Sequence, residues 1–386
     1  MKVLLNGFET CGLIRDLAGH LRQLGHQVTT IADRNVFYDG AYDYAQTDFL
    51  SHWFATKITK RTPQWIFKVL WHAKLYRPLE SRIRTSLLKG CGLYLQVCGG
   101  VPYQRETLEK CRKLGIPSAV LLMGTDVRDY PTFVKQYDVG VWQIPEAYLK
   151  TSSSAKRRIL QEVELFADAV FSVPDQMGLA TKPYFHLQVP MSLEKFRPNI
   201  SGRSIPKVLH APSSSSIKGT KVIEATIERL QKEGIPLEYV RLSGVSNDQV
   251  IEVLADVDVV VDELILHGPG WLSFEAMASG CAVATRYLED SPACFRPPVV
   301  SIDHHSIYEK LRLLLSNREM RVRLAEEGLE YVKKNSITRV VNDIVQKAQR
   351  SSDFTPDYYP PQSTADATSE ANSATPTKGF QKLSAR

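Results

Sequence analysis

Two stretches in the second half of the chain combine polar residues with glycines in a way that suits an anionic ligand. The first is Lys218 with Gly219, which stand after a predicted strand and a run of serines at 213–216. A lysine at the start of a helix puts positive charge where a phosphate group binds. From spacing alone, however, a solvated lysine at a helix start explains these residues better.

The second stretch lies between a predicted buried strand and a helix, and it contains His267, Gly268, Gly270, Trp271 and, within the helix, Glu275. Glycines there let backbone amides approach an anion, and the helix dipole attracts it. Trp271 has two interpretations, because it suits stacking on a base or sugar and suits a protein core at least as well. Glu275 is either a ligand for hydroxyl groups or a glutamate favoured in a first helical turn.

Alternating strand and helix patterns predict two α/β domains that would position both stretches. The first domain opens with an apolar strand that ends at Gly7, followed by Gly12 and by leucines at helical spacing. Its further predicted strands lie at 28–31, 93–97, 119–123 and 169–173. The second domain has predicted strands at 208–210, 238–242, 257–261 and 281–285 and predicted helices at 218–232, 248–254, 275–279, 307–315, 319–334 and 338–349. Ligands bind at the carboxyl ends of strands in such sheets.

Changes in composition set the expected domain boundaries. Five prolines fall between 174 and 206 and weaken the periodicity, as expected of an interdomain connection. We therefore expect a first domain at 1–190, a linker at 191–206 and a second domain at 207–336. From 351 to 386 the chain is rich in serine, threonine, alanine and proline, which predicts a disordered tail.

The overall composition is that of a cytoplasmic globular protein. Of the 386 residues, 43% are hydrophobic and 23% charged, and no apolar run has the length that spans a bilayer. The six cysteines form no CxxC pair and the nine histidines lack metal-ligand spacing, so we expect a reducing compartment and no bound metal. The net charge of +6 favours anionic partners without indicating nucleic acid.

Several segments resemble family-four glycosyltransferases of the GT-B class. Residues 274–283, Phe-Glu-Ala-Met-Ala-Ser-Gly-Cys-Ala-Val, resemble the E-A-M-A-x-G-x-P-V signature, and residues 191–198 resemble the interdomain D-x-x-K-F-x-P segment. Further matching segments follow in the family's order at 167–170, 218–219 and 255–258. The resemblance covers about residues 1–350. It implies the α/β GT-B fold, in which two Rossmann-like domains face a cleft.

The resemblance also implies an activity and a place for each ligand. The expected reaction is a retaining, metal-independent transfer, without a cofactor, from a nucleoside diphosphate sugar to a saccharide or lipid-linked acceptor. The second domain binds the donor, the first binds the acceptor, and a last helix at 337–350 crosses back to the first domain. By the resemblance, Glu275 holds the donor ribose, Lys218 holds the diphosphate, and Gly7 and Gly12 approach the phosphates.

The remaining expected ligands include positions where the chain departs from the family. His267 stands where the first of two glutamates is expected, and Ser215 belongs to the serine run that replaces an arginine. Met123 replaces a histidine ahead of Gly124-Thr125-Asp126. We still expect His267 and Ser215 to contact the donor, and Asp126 and Arg128 to bind the acceptor. The replacements leave a second hypothesis open, a non-catalytic protein that binds sugar nucleotides or acts in assembly.

The segment at 51–90 is a further candidate site. It holds nine lysine and arginine residues, a single acidic residue, Glu80, and interleaved aromatic residues. A helix there, with Gln64, Lys68 and His72 on one stripe, would lie on an anionic membrane surface near a lipid-linked acceptor, making the protein peripheral at the membrane. A helix packed on the sheet with basic ends in water fits equally well. Nucleic-acid binding fits less well, because no reading motif accompanies the segment.

Overall fold

The computed structural model describes residues 1–33, 41–47, 49–50, 76–136, 144–150, 153–288 and 291–360. In these residues the N-terminal domain is built on a six-stranded parallel sheet of order β2-β1-β3-β4-β5-β6. Its strands are β1 (Lys2–Gly7), β2 (Gln27–Ile31), β3 (Leu93–Val97), β4 (Ser118–Leu121), β5 (Ala169–Ser172) and β6 (Phe185–His186). Its helices are α1 (Leu13–Gln23), α2 (Tyr76–Ser86), α3 (Gln104–Leu114), α4 (Tyr130–Gln136), α5 (Glu146–Leu149) and α6 (Ser153–Phe166).

The C-terminal domain has, within the same described ranges, a five-stranded parallel sheet of order β11-β10-β9-β7-β8. Its strands are β7 (Lys207–His210), β8 (Glu238–Arg241), β9 (Val259–Val261), β10 (Ala282–Thr285) and β11 (Val300–Ser301). Its helices are α7 (Ser215–Lys218), α8 (Thr220–Lys232), α9 (Asn247–Leu254), α10 (Trp271–Ala278), α11 (Ile307–Ser316) and α12 (Arg318–Lys334). The predicted alternation of strands and helices is therefore present in both domains.

Gly219 interrupts the helix that the periodicity predicts over 218–232. Its φ of +75° lies in the left-handed region, so α7 ends at this residue and α8 begins after it. A Cβ atom at Gly219 would also lie 2.9 Å from the Cβ of Leu264, in the loop after β9. The predicted single helix is therefore wrong, and the break places Lys218 at the end of a short helix and not at the start of a long one.

A short strand and two helices of the N-terminal domain do not stand out in the sequence. β6 has two residues and adds to the edge of the sheet beside β5, inside the proline-containing stretch that reads as a connection. α4 and α5 follow β4 in a stretch without clear helical periodicity. Elements this short contain too few residues to show a period, so tertiary contacts decide whether they form.

The chain connects the two domains twice. After the first crossing, through 191–206, α13 (Ile337–Gln349) returns to the N-terminal domain. Its buried residues Ile337, Val340, Val341 and Ile344 share one hydrophobic core cluster with side chains of β1 and α1. Backbone hydrogen bonds tie the two crossings together, because Met191 N donates to Asn335 O and Ile337 N donates to Met191 O. The apolar face of α13 therefore anchors the C-terminal end of the fold on the N-terminal sheet.

Residues 351–360 do not form part of a disordered tail. Tyr358 is 4% exposed and stacks on Tyr184, with ring centroids 5.1 Å apart. The backbone amide of Tyr184 donates to the carbonyl of Tyr358, and the Tyr358 hydroxyl lies 2.8 Å from His186 Nδ1. The expectation of a disordered tail from 351 is wrong for these residues, because Tyr358 packs in the interior against Tyr184. The rest of that expectation, 361–386, lies outside the described residues.

Replacing Tyr358 with phenylalanine should lower the free energy of unfolding by about 1 kcal/mol, because it removes the hydroxyl group that pairs with Nδ1 of the half-buried His186. Urea unfolding followed by circular dichroism measures the change. Tyr359→Phe is the matched control, since Tyr359 is only half-buried. Equal effects of the two substitutions would show that the contact with His186 does not form.

Only part of the basic segment at 51–90 can be compared with its expectation. Residues 51–75, with Gln64, Lys68 and His72, lie outside the described residues. In the described part, Arg84 on α2 is buried and donates to Glu80 Oε1 at 2.7 Å. This cation therefore forms an ion pair within the protein and does not face solvent. No helix of the described residues combines the length and the apolar character needed to cross a membrane.

Candidate functional site

A cleft of about 330 Å³ lies between the carboxyl ends of the two parallel sheets. The N-terminal domain contributes the loops after β1, β4 and β5, and the C-terminal domain contributes the loops after β7 and β9 and the start of α10. Of the residues expected to bind ligand, those that line this cleft are Arg128, Lys218, His267, Gly268, Gly270 and Trp271. Parallel sheets commonly bind ligands at this edge.

Lys218 lies between two carboxylates that follow β9. Its Nζ donates to Asp262 Oδ1 at 2.8 Å and to Glu263 Oε2 at 2.9 Å, and both acidic side chains are buried. Burial acts to lower the pKa of Lys218, but the two carboxylates outweigh it and raise this pKa above its usual value. With both acids ionised, the cluster carries one net negative charge. Lys218 therefore does not offer an unpaired positive charge to a diphosphate.

Gly270 is required by this charged cluster. It caps α10, and a Cβ atom at this position would lie 2.7 Å from both Asp262 Oδ2 and Lys218 Nζ and 3.3 Å from Glu263 Oε2. Its φ of −70° needs no glycine, so space is the reason for the residue type. The sequence predicted a close approach of backbone to a ligand here, whereas the structure shows a close approach to the protein's own ion pairs.

The two acids of the cluster differ in their affinity for a proton. Burial raises the pKa of Glu263 to about 7, although Lys218 acts to lower it. Burial acts to raise the pKa of Asp262 as well, but Lys218 outweighs it and the pKa is lowered. Ser273 Oγ also donates to Asp262 Oδ2 at 2.7 Å, whereas Glu263 Oε1 is buried and has no hydrogen-bond partner among the described residues. Glu263 is therefore the group of this cluster that takes up a proton first.

His267 is a neutral imidazole that faces the cleft. Arg286 Nε donates to His267 Nε2 at 3.0 Å, so this nitrogen is an acceptor and the ring proton is on Nδ1. Burial, together with the charges of Arg286 and Arg128, lowers the pKa of His267 to about 3. The imidazole also meets the ring of Phe133, from the N-terminal domain, edge-on at 5.4 Å between centroids. His267 therefore borders the cleft as a neutral side chain, without the charge of the glutamate that the resemblance led us to expect at this position.

Arg128 is buried in an ion pair within the N-terminal domain. Its Nη2 donates to Asp175 Oδ2 at 3.2 Å, and both side chains have exposed fractions of 6% or less. Burial raises the pKa of Asp175, while Arg128 and the backbone amide of His267 act to lower it. Arg128 borders the cleft as expected, but its guanidinium is committed to Asp175, a residue that the sequence did not single out.

Glu275 lies deeper than the cleft, in a crevice with room for about one water molecule. Asn247 Nδ2, at the start of α9, donates to Glu275 Oε1 at 2.7 Å. Burial raises the pKa of Glu275 to about 7, although Asn247 acts to lower it. Trp271 and Cys11 border both the crevice and the cleft, so the two spaces adjoin. Trp271 also packs against the hydrophobic core of the N-terminal domain, as its interpretation as a core residue predicted. Stacking on a base or sugar stays a prediction.

The N-terminus of α1 already holds a carboxylate. The backbone amides of Ile14 and Arg15 donate to Glu9 Oε1 and Oε2 at 3.3 and 3.1 Å, and the Tyr42 hydroxyl also donates to Glu9. A phosphate group at this helix end would have to displace Glu9. Gly12 has the left-handed φ of +75° that glycine favours, and it caps this helix.

Three other predicted ligands do not line the cleft, and two of them have structural roles. A Cβ atom at Gly7 would collide with the carbonyl oxygen of Val97, so Gly7 lets β1 and β3 approach. Asp126 accepts hydrogen bonds from the backbone amides of Gly99 and Gly124, each at 2.7 Å, and so shapes the loop after β4. Ser215 is exposed at the start of α7 and does not line the cleft. Thr10 and Cys11, rather than Gly7 or Gly12, and Ser213 and Ser214, rather than Ser215, line it.

A second cavity, of about 720 Å³, lies on the other side of the Glu275 crevice. It is bordered by α1, the first interdomain crossing and α9, and it contains none of the residues predicted to bind ligand. At the border of this cavity, Lys195 Nζ donates to both carboxylate oxygens of Asp16 at 2.7 Å. This contact links the first interdomain crossing to α1. The crevice thus lies between two larger spaces.

No metal site is evident in the part of the chain that the structure describes. There, no three histidine, cysteine, aspartate or glutamate side chains are arranged so that they could hold a metal ion. The acids of the cleft are instead paired with Lys218 and Arg128.

Two parallel α/β domains that face each other across a cleft, with a last helix that returns to the first domain, define the GT-B fold. Comparison with solved structures confirms this predicted fold class. The sequence itself matches no protein-family model and no curated protein.

Three solved structures illustrate the similarity in fold. Sucrose-phosphate synthase from Thermosynechococcus elongatus has a TM-score of 0.55 at 14% identity, over 92% of this chain and 99% of that chain. A glycosyltransferase from Rickettsia africae has a TM-score of 0.52 at 11% identity, over the same shares of the two chains. The Anabaena protein HepE, solved in complex with UDP-glucose, has a TM-score of 0.51 at 12% identity, over 90% of this chain and 99% of that chain. At these identities the similarity is one of fold.

Proposed function

We propose that this protein is a glycosyltransferase that moves a sugar from a nucleoside diphosphate sugar to a saccharide or lipid-linked acceptor. The observation that carries the proposal is the position of α10. This helix contains Glu275 and the first half of the signature-like segment, and it starts at the cleft between the carboxyl ends of both sheets. The N-terminus of α10 borders the cleft at Gly270, next to the side chains of Lys218, Asp262 and Glu263.

The chemistry needs a group that stabilises the anionic leaving group. Lys218 and Arg128 are each paired with buried carboxylates, and the N-terminus of α1 holds Glu9. The carboxylate of Glu275 is suited to ribose hydroxyls, since ionised carboxylates accept strong hydrogen bonds. Because its crevice is narrow, donor binding requires the two domains to move apart at Trp271 and Cys11.

Two finer features are part of the proposal. UDP-glucose is the first donor to test, because it is bound in the Anabaena structure of similar fold. A retaining, metal-independent course is inferred from the signature-like segment at 274–283 alone. Product analysis by NMR, which reports the anomeric configuration, and assays with and without a chelator test these two features.

A sugar-nucleotide-binding protein without transferase activity is the second candidate. The ion pairs of Lys218 with Asp262 and Glu263 favour this candidate, because the lysine that was expected to bind the diphosphate already binds two carboxylates. Met123 lines the cleft where the family has a histidine, so that position cannot exchange a proton.

Calorimetric titration with UDP-, GDP- and ADP-glucose, followed by measurement of nucleotide release with oligosaccharide and lipid-linked acceptors, tests the two candidates. Binding with acceptor-dependent release supports the transferase. Binding without release, across the acceptor panel, supports the second candidate. If none of the three donors binds, both proposals are wrong.

Peripheral attachment to an anionic membrane through 51–90 is compatible with either candidate. Arg84, one of the nine basic residues of this segment, is buried and therefore does not face a membrane surface. The count of basic residues thus overstates the support for membrane attachment. Co-sedimentation with liposomes that contain anionic lipid, compared with neutral liposomes, checks this attachment.

A further inference from the structure

Glu263 is a buried acid with one carboxylate oxygen that no residue in the described part of the chain contacts by a hydrogen bond. Oε2 accepts from Lys218 at 2.9 Å, but buried Oε1 has no hydrogen-bond partner among the described residues. The residue is 4% exposed and borders the cleft. Buried carboxylate oxygens are rarely left without a partner, because desolvation is costly unless a hydrogen bond offsets it. An unpaired acceptor on a buried residue that borders the cleft therefore indicates a ligand group that donates.

The surroundings hold Glu263 in this position. Lys218 is anchored on its other side by Asp262, which in turn accepts from Ser273 Oγ at 2.7 Å on α10. The absence of a side chain at Gly270 leaves the space that the cluster occupies. Because Lys218 and the backbone fix one end of the carboxylate, Oε1 has a defined direction before any ligand arrives. Such preorganisation favours selective recognition over general electrostatic attraction.

We propose that Glu263 Oε1 accepts a hydrogen bond from a hydroxyl group of the transferred sugar. This assignment rests on the proposed function. Under it, Glu263 provides a charged hydrogen-bond acceptor, which the neutral imidazole of His267 does not provide. A neutral hydroxyl fits better than a phosphate oxygen, because Lys218, Asp262 and Glu263 together carry no net positive charge. Glu263 would thereby select among sugars by the presence of one hydroxyl group, as sites built to bond a hydroxyl do.

The test measures the energetic coupling between Glu263 and single hydroxyl groups of the donor. Dissociation constants of UDP-glucose and its 2-, 3-, 4- and 6-deoxy analogues are determined by calorimetry for the wild-type chain and for Glu263→Gln. In the wild type, loss of the recognised hydroxyl should weaken binding about tenfold, the effect of one hydrogen bond to a charged group. In the variant, where Lys218 holds the amide oxygen and the amide nitrogen faces the ligand, this loss should fall to about twofold or less.

Two further variants keep the result interpretable. Glu263→Asp retains the charge for Lys218 but withdraws the free oxygen, so it should also lose the discrimination, and it serves if the glutamine variant does not fold. Glu164→Gln is the matched control, since Glu164 is a buried acid that accepts from Thr181 and Lys182 outside the cleft. Its discrimination should equal that of the wild type.

The outcomes separate this inference from the function on which it rests. If the wild type binds UDP-glucose and every deoxy penalty is the same in Glu263→Gln, the assignment of Glu263 is overturned while the donor-binding function stands. If the wild type binds none of UDP-, GDP- and ADP-glucose, the function itself is overturned and the assignment with it. A different donor in that panel is carried through the same deoxy series.

Discussion

Replacing Lys218 with methionine should lower the free energy of unfolding by about 3–5 kcal/mol, because it leaves two buried carboxylates without their counter-ion. Asp262 and Glu263 have exposed side-chain fractions of 0 and 5%, and both bind the Lys218 ammonium group directly. Urea unfolding at pH 8, followed by circular dichroism, measures the change. Lys221→Met is the control, since Lys221 is an exposed lysine on α8.

The pH dependence of the Lys218 variant provides a second check. Without the lysine, the folded-state pKa of Glu263 should lie further above the ordinary value of 4.5. A carboxyl group whose pKa is raised by folding stabilises the fold below its unfolded pKa, and this contribution is lost as the pH rises through the folded pKa. The deficit of the variant should therefore shrink as the pH falls from 8 to about 5.5.

A compensated variant separates charge from packing. Adding Asp262→Asn and Glu263→Gln to Lys218→Met should restore most of the lost stability, because a buried cluster without charge no longer needs a counter-ion. A Lys218→Met protein as stable as the wild type would show that the lysine is solvated, as its spacing in the sequence suggested, and that the ion pairs do not form.

Replacing Glu275 with glutamine should lower kcat/KM for donor turnover about 10- to 100-fold. If Glu275 binds the donor ribose, the substitution removes a hydrogen bond to a charged acceptor, worth about 1.5–3 kcal/mol. Nucleotide release under donor-limiting conditions measures the effect, and calorimetry with UDP separates binding of the nucleotide from the later steps. Glu228→Gln, an exposed position on α8, is the matched control.

Stability should move little in the Glu275 variant, which distinguishes a ligand role from a structural one. Burial raises the pKa of Glu275 to about 7, so the fold already tolerates a neutral side chain there, and a glutamine oxygen can still accept from Asn247 at 2.7 Å. Turnover equal to that of the wild type would remove Glu275 from the donor site. A large loss of stability would assign the residue to the packing of α9 against α10.

The fold followed from the sequence because its signals are local. Strands β1, β3 and β9 are short apolar runs, and α8 and α13 repeat apolar residues at helical spacing, so neighbouring residues carry the pattern. The segment with Glu275 likewise indicated a helix that follows a buried strand, and α10 starts only a few residues earlier than expected. β6 and residues 351–360 escaped prediction, because their order depends on distant partners such as Tyr184 and Tyr358.

The sequence by itself determined that this chain forms two α/β domains, and its family resemblance indicated the GT-B fold. The tertiary structure decided what the charged residues of those loops bind. Lys218 and Asp262 are 44 positions apart, and Arg128 and Asp175 are 47 apart, so no spacing rule pairs them. Those pairs arise because the ends of parallel strands lie next to each other in space. A charged side chain that is buried there is costly unless it pairs with a nearby side chain of opposite charge. Lys218 is thus paired within the protein. Glu263, which its spacing did not mark, borders the cleft and has one carboxylate oxygen without a hydrogen-bond partner among the described residues.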